Sequence, residues 1–268
     1  NLKIHQKKKT MHYFQHILFQ KDHPNFTDKQ AVHLPTNHRF GAWSQKLANN
    51  RIDILEYGKD NEFILPVTKD KINQDYHHLT QDFHKPIPNA CVLLLITDEN
   101  HPKILLTRRA SSLSSHGGEV SLVGGKKDDN DHSSYQVALR EANEEIALPK
   151  DAAQLIGFLP MQFSKKGLLV RPIVACINPD VGQSLFGNPD EIAKIFWLDL
   201  GFLQNNPPQN HVFKRTVNRQ SIDMHTPAWS IQDNNESEII WGLTGRILGN
   251  FLHIVAGVPQ ISWYFRQN

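Results

Sequence analysis

The sequence predicts an α/β or α+β domain, strands covered by helices, behind an N-terminal extension. Three observations predict it. Short apolar runs bounded by polar turns alternate with stretches whose apolar residues recur at helical spacing. The longest apolar run, Cys91-Val-Leu-Leu-Leu-Ile96, has the length of a buried strand. The chain also changes character at Pro86 and Pro88, which divides it into residues 1–85 and residues 86–268.

The first part is rich in His, Gln, Asn and Lys, with scattered apolar residues. Phe40, Trp43 and Leu47 are spaced for one face of a short helix, and Ile52-Asp-Ile-Leu55 suits a strand. His12 and His16 stand four apart, a spacing that holds a metal on a helix only when a third ligand is near, and none is. In the second part, residues 90–96 and 103–107 flank a polar turn and form a hairpin. Residues 111–118 make a Ser/Gly-rich loop, and residues 120–123 one more short strand that ends at Gly124-Gly125.

A helix follows. Ser133-x-x-Gln136 has the form of a capping box, Pro149 marks the end, and Tyr135, Ala138, Leu139, Ala142 and Ile146 define the buried stripe. Glu141, Glu144 and Glu145 then share an arc facing away from most of that stripe. Residues 153–159 and 168–177 read as strands joined by a turn at 164–167. Ile239, Ile240, Leu243, Ile247, Leu248, Phe251 and Leu252 read as a second amphipathic helix, with Gly242, Gly245 and Gly249 where a neighbour approaches closely.

Composition narrows the function. The 268 residues carry 29 basic and 27 acidic side chains, and 39% are hydrophobic. A pI near 8.5 falls short of a dedicated nucleic-acid binder, so no nucleic-acid partner is expected. No apolar run spans a bilayer and the N-terminus lacks the apolar core of a secretory signal, so no membrane partner is expected. Two cysteines, Cys91 and Cys176, form no disulfide framework, which suits the cytoplasm.

The chemistry concentrates between Leu105 and Leu148. Glu141, Glu144 and Glu145 lie at i, i+3 and i+4, close enough to repel one another. A helix gains nothing from that repulsion, and a hard divalent cation with oxygen ligands would relieve it. An acidic helix face alone is usually just solvated, so the neighbouring residues decide. Arg140 stands ready to tie down a carboxylate, and Gly124-Gly125 offers backbone unobstructed by side chains.

This segment resembles the Nudix box, whose pattern is G-x5-E-x7-R-E-U-x-E-E-x-G-U with U aliphatic. Arg140-Glu-Ala-Asn-Glu-Glu145-Ile-Ala-Leu148 matches the second half, with Ala147 at the last Gly. In the first half Asp131 stands at the Glu position, and eight residues instead of seven separate it from Arg140. Upstream, Leu105, Leu106, Thr107, Arg109, Leu113, His116, Gly118, Val120, Gly124 and Gly125 fall in register with the signature L-L-T-x-R-S-x-x-L-x-x-H-x-G-Q-V-x-F-P-G-G. That signature is similar to the coenzyme A diphosphatases of the superfamily. Asp190-Glu191-Ile192 and residues 240–248 also resemble that branch. The chain departs from it at Ala110 for Ser, Glu119 for Gln and Leu122-Val123 for Phe-Pro.

The resemblance implies a mixed sheet sandwiched between helices and metal-dependent cleavage of the coenzyme A diphosphate, giving 3′,5′-ADP and 4′-phosphopantetheine. It implies Mg²⁺ or Mn²⁺ on Glu141, Glu144, Glu145 and the Gly125 carbonyl. Glu144 and Glu191 are the candidates for the general base. Arg109, His116, Gly118, Gly124, Gly125 and Arg140 are the expected substrate contacts. Arg108, alternating with Arg109 on a strand end, is expected to be structural. Two alternatives stay open: a Nudix hydrolase of another nucleotide diphosphate such as ADP-ribose or a dinucleotide, and a non-catalytic module that binds a nucleotide or a protein. The partner is a small-molecule substrate, with a homodimer expected on base rates alone.

Overall fold

A computed structural model of the protein describes residues 28, 38–50, 52–57, 64–68, 88–164, 168–217, 220–233 and 236–259. His12, His16, Pro86 and most of the expected turn at 164–167 lie outside these residues. The elements begin with α1 (His38–Ala48), β1 (Ile52–Tyr57), β2 (Ile64–Thr68), β3 (Ala90–Thr97) and β4 (Lys103–Arg109). Then come β5 (Val120–Ser121), β6 (Val123–Lys126), α2 (Ser134–Ile146), β7 (Ala153–Phe158), β8 (Met161–Phe163) and β9 (Leu169–Ile177). The chain continues through α3 (Pro179–Gln183), β10 (Ile192–Asp199), α4 (Leu200–Asn205), β11 (Gln209–Val217), β12 (Gln220–Asp233), β13 (Glu236–Ile240) and α5 (Gly242–Ile254).

The main sheet is mixed and runs β10-β4-β3-β9-β8-β1-β2, with β5 on β4, β6 on β3 and β7 on β9. The β3–β9 and β1–β8 pairs are parallel. A second sheet, β11-β12-β13, is antiparallel throughout.

The run 91–96 explains why both faces of the main sheet are covered. Successive side chains on a strand point to opposite faces, so an apolar residue at nearly every position demands cover on both sides. Cys91, Leu93 and Leu95 pack with Val137, Ala138, Ala142 and Ile146 of α2. Leu94 and Ile96 pack on the other face with α1, α5 and the second sheet. There Phe40, Trp43 and Leu47 of α1 are buried, and Trp43 meets Phe251 of α5 edge-on at 5.5 Å. Asp28 also reaches the domain: it accepts hydrogen bonds from the Ser134 N–H at 2.8 Å and the Ser134 hydroxyl at 2.7 Å, at the start of α2.

Four expectations need correction. The single strand at 120–123 is two, because the chain changes partner at Leu122, from β4 to β3, and Gly124 and Gly125 lie inside β6 instead of after it. The helix at 239–252 begins only at Gly242, since Ile239 and Ile240 are held in a ladder with Ser230 and Trp229. Of its glycines, Gly245 does meet a neighbour, the Pro227 carbonyl, whereas Gly242 has open space around its Cα. The whole β11–β12 hairpin was absent from the sequence reading. No described helix is long and apolar enough to cross a membrane.

Candidate active site

The site is built on α2. The Ser133 side chain accepts the Gln136 N–H at 3.1 Å, as a capping box requires. The Gln136 side chain returns to the His132 N–H at 3.0 Å, one residue earlier than the motif prescribes. The helix ends at Ala147 with φ 56°, and the Ala147 N–H closes onto the Ala142 and Asn143 carbonyls. This left-handed position explains why the family pattern carries Gly there.

Arg140 fixes the helix to the preceding loop. It faces the buried Asp131 at 3.0 Å and 3.3 Å, and donates to the Lys126 carbonyl at 2.8 Å. Asp131 also accepts the Asp128 N–H at 2.8 Å. The residue standing at the first Glu of the pattern is therefore an anchor for Arg140. The other edge of the guanidinium pairs with Glu141 at 2.9 Å and Glu144 at 3.3 Å.

The three glutamates part company. The expected common arc, turned away from the apolar stripe, does not hold: Glu145 is buried, Glu141 is half-buried and Glu144 is exposed. Val137, also left out of the expected stripe, is buried too. Glu145 accepts the Gly124 N–H at 3.0 Å and faces Arg109 at 3.3 Å. Glu141 lies so close over Gly125 that a Cβ there would run into its carboxylate. Gly124 is constrained from below, because a Cβ would strike the Cys91 carbonyl, and its φ is 145°. The two glycines thus let β6 lie close to the β3 backbone at Gly124 and close to the Glu141 carboxylate at Gly125. Among the described residues no three acidic, His or Cys side chains already enclose a metal position.

Burial dominates the electrostatics. It pushes the Glu145 carboxyl up to about 7, opposed by the Gly124 N–H and Arg109 and reinforced by the charges of Glu191 and Glu141. Burial also raises Glu141, opposed by Arg140 and reinforced by Glu144 and Glu191. A buried and a half-buried carboxylate that resist ionisation and offer hard oxygen donors beside an open backbone suit a divalent cation such as Mg²⁺ or Mn²⁺. Glu191, whose charge acts on both, sits in a turn before β10 and opens no helix. Its carbonyl accepts the Ala110 N–H at 2.8 Å, which ties that turn to the end of β4.

The loop 110–119 closes onto the same corner. The Gly118 N–H reaches the Arg109 carbonyl at 3.0 Å, with Gly118 at φ 76°. His116 has φ 59° and pairs with Glu119 at 2.9 Å. Arg108 turns the other way, to Glu236 and Glu238 of β13 at 2.9 Å each, and is structural as expected.

A cavity of about 270 Å³ opens beside this corner. Arg109, His116, Leu122, Gly124, Phe213 and Trp241 are among the residues that line it. Sequence reasoning missed Phe213 as a site residue. Residues 209–217 carry no clean alternation to signal it, and the strand's partner, β12, is set by pairing that spacing does not reveal.

The NUDIX domain family model matches residues 86–220, half of the chain. A Photorhabdus laumondii protein, an uncharacterized Nudix hydrolase NudL, is 38% identical over 160 residues, 60% of this chain and 81% of that one. Its Cronobacter sakazakii namesake is 37% identical over 138 residues, 50% of this chain and 71% of that one. A solved structure of a C. elegans Ap4A hydrolase binary complex is 21% identical at TM-score 0.35, over 42% of this chain and 80% of that one.

Proposed function

The chain belongs to the Nudix family, and from that premise we propose that it hydrolyses the diphosphate of coenzyme A or its derivatives. The products are 3′,5′-ADP and 4′-phosphopantetheine. One observation supports hydrolysis above the others: Glu145 is held by the Gly124 N–H and Arg109 while Glu141 lies on Gly125. Two carboxylates are thereby fixed over bare backbone where a diphosphate can lie. The choice of coenzyme A rests on the signature from Leu105 to Gly125, which is folded around this corner.

Mg²⁺ or Mn²⁺ would be held by Glu141, Glu145 and the Gly125 carbonyl, with Glu144 as a further carboxylate. When bound, the cation neutralises diphosphate charge and makes a coordinated water more acidic. Arg109 keeps Glu145 in place and presents its guanidinium to a phosphate oxygen from the cavity wall. Arg140, clamped by Asp131, holds Glu141 and Glu144 in register. His116 and Gly118 shape the loop that meets the substrate.

Water forms a bond to one phosphorus, the bridging P–O bond breaks, and the water proton passes to a carboxylate. Glu191 takes that proton in this reading, because its turn is tied to the end of β4 beside Arg109, whereas Glu144 is exposed and engaged by Arg140. Glu191→Gln then lowers kcat by about 10²-fold and Glu144→Gln by much less. The reverse order would move the role to Glu144.

A second reading, hydrolysis of ADP-ribose or a dinucleotide, is favoured by Leu122, which lines the cavity where the branch has Phe. Chromatography of the products from coenzyme A, ADP-ribose and a dinucleotide with Mg²⁺ separates the two. Faster release of AMP from ADP-ribose than of 3′,5′-ADP from coenzyme A would favour the second.

A further inference from the structure

We propose that the cavity between β5–β6 and the start of α5 receives the uncharged, chain-like arm of a diphosphate substrate, and that Trp241 and Leu243 select for it. This rests on the diphosphatase reading and deepens it. Part of the wall, Trp241 to Thr244 with Arg246 and Ile247, lies beyond the residues matched by the family model.

Position is the first argument. Arg109 and Gly124 line the cavity, and these same two residues hold Glu145. Whatever fills the cavity therefore lies next to the position over the carboxylates.

The lining is the second argument. Leu122, Phe213, Trp241, Leu243 and Ile247 give the cavity an apolar wall. Much of its polar lining already has a partner in the protein: Thr244 donates to the Val120 carbonyl at 3.2 Å, Ser121 bonds Thr107 at 3.1 Å, Ser164 accepts the Leu168 N–H at 3.0 Å, and Arg246 donates to the Phe163 carbonyl at 2.7 Å. His116 and Glu119 are paired with each other. A nucleobase needs several converging donors and acceptors to satisfy its edges, because a polar edge left unpaired in an apolar site is costly. A chain of methylenes with few amides needs shape and apolar contact instead.

Stiffness is the third argument. Trp241 packs against His211 at 4.8 Å and Phe213 at 5.5 Å, both on β11, and the Thr244 bond to the Val120 carbonyl fixes the start of α5 to β5. Leu122 is buried in this wall.

The test is calorimetric titration of the full chain in EDTA, where nothing turns over, with coenzyme A and with ADP-ribose. Both carry an adenine nucleotide and a diphosphate; coenzyme A adds the arm and a 3′-phosphate, and dephospho-coenzyme A, which keeps the arm without that phosphate, should show the same preference. The unmodified protein should bind coenzyme A at least about tenfold more tightly. Leu243→Trp, which fills the cavity from a half-buried position, should weaken coenzyme A by about tenfold or more and leave ADP-ribose within about twofold. Trp241→Ala should do the same, and thermal melting identifies a variant that fails to fold.

Equal weakening of both ligands would assign the cavity to the nucleotide half and overturn the proposal. So would an unchanged preference, or no binding of coenzyme A at all. Turnover with metal is scored separately. A protein that binds in the expected pattern but does not cleave coenzyme A loses the reaction and keeps the pocket; the opposite result loses only the pocket.

Discussion

The two sides of the candidate site are held together differently. The α2 side is fixed by charge and backbone at short sequence range: Asp131 to Arg140, Glu145 to Gly124, Glu141 over Gly125. The cavity side is fixed by aromatic and aliphatic packing at long range, with Leu122, Phe213 and Trp241 brought together from three elements or their flanks. Buried charge tolerates almost no substitution, because removing one partner strands the other. An apolar wall tolerates changes that keep volume. Reaction chemistry is therefore expected to be rigid on the first side and substrate choice adjustable on the second.

The sharpest break between the sides is in turnover. Glu141→Gln and Glu145→Gln should each lower kcat by about 10²-fold or more while the protein melts cooperatively. Steady-state rates with near-wild-type values in both variants would remove the charge-based side from the mechanism.

Next come the adjacent glycines, which the geometry assigns to different tasks. A side chain at Gly124 would meet the backbone of Cys91 and Val92 at positive φ, so Gly124→Ala should cost about 3 kcal/mol of stability or more. A side chain at Gly125 would meet the movable Glu141 carboxylate instead. Gly125→Ala should therefore lose activity out of proportion to stability, a split that denaturant titration and kinetics together would detect.

The pH dependence of the metal-free protein gives a smaller signal. Burial raises Glu145 from 4.5 to about 7, so the folded state prefers the protonated carboxyl. That preference contributes stability fully below pH 4.5 and loses it as pH rises through about 7. Unfolding free energies from urea titration in EDTA should fall over that window by an amount on the order of 1–3 kcal/mol, and Glu145→Gln should flatten the slope.

The smallest effect is at the end of α2. Ala147→Gly relieves a left-handed alanine and should add about 1 kcal/mol without changing kcat. A loss of stability there would mean that the alanine side chain makes contacts worth more than the backbone strain.

The same division explains what was legible in the sequence. The carboxylate helix was read nearly whole, because capping residues, periodicity and the Arg140–Glu145 spacing are all local. The burial of Glu145 was not, since one turn of a helix says nothing about which glycine strand passes beneath it. Val137 was missed for a similar reason: the stripe was drawn narrower than the face the sheet covers. The β11–β13 sheet left little trace, because its strands mix polar and apolar residues and its register depends on partners many residues away. Ile239 and Ile240 fit a helical pattern with the residues after them, and only their pairing with Trp229 and Ser230 makes them strand. Charge chemistry written within a few turns of chain could be read directly; a wall assembled across the fold could not.

The most direct measurement of the central claim is chromatography of coenzyme A incubated with Mg²⁺ and either the unmodified chain or Glu145→Gln, with a no-metal control. The account predicts 3′,5′-ADP only with metal, formed about 10²-fold more slowly by the variant. No 3′,5′-ADP from the unmodified chain, or equal rates from the two proteins, would contradict it.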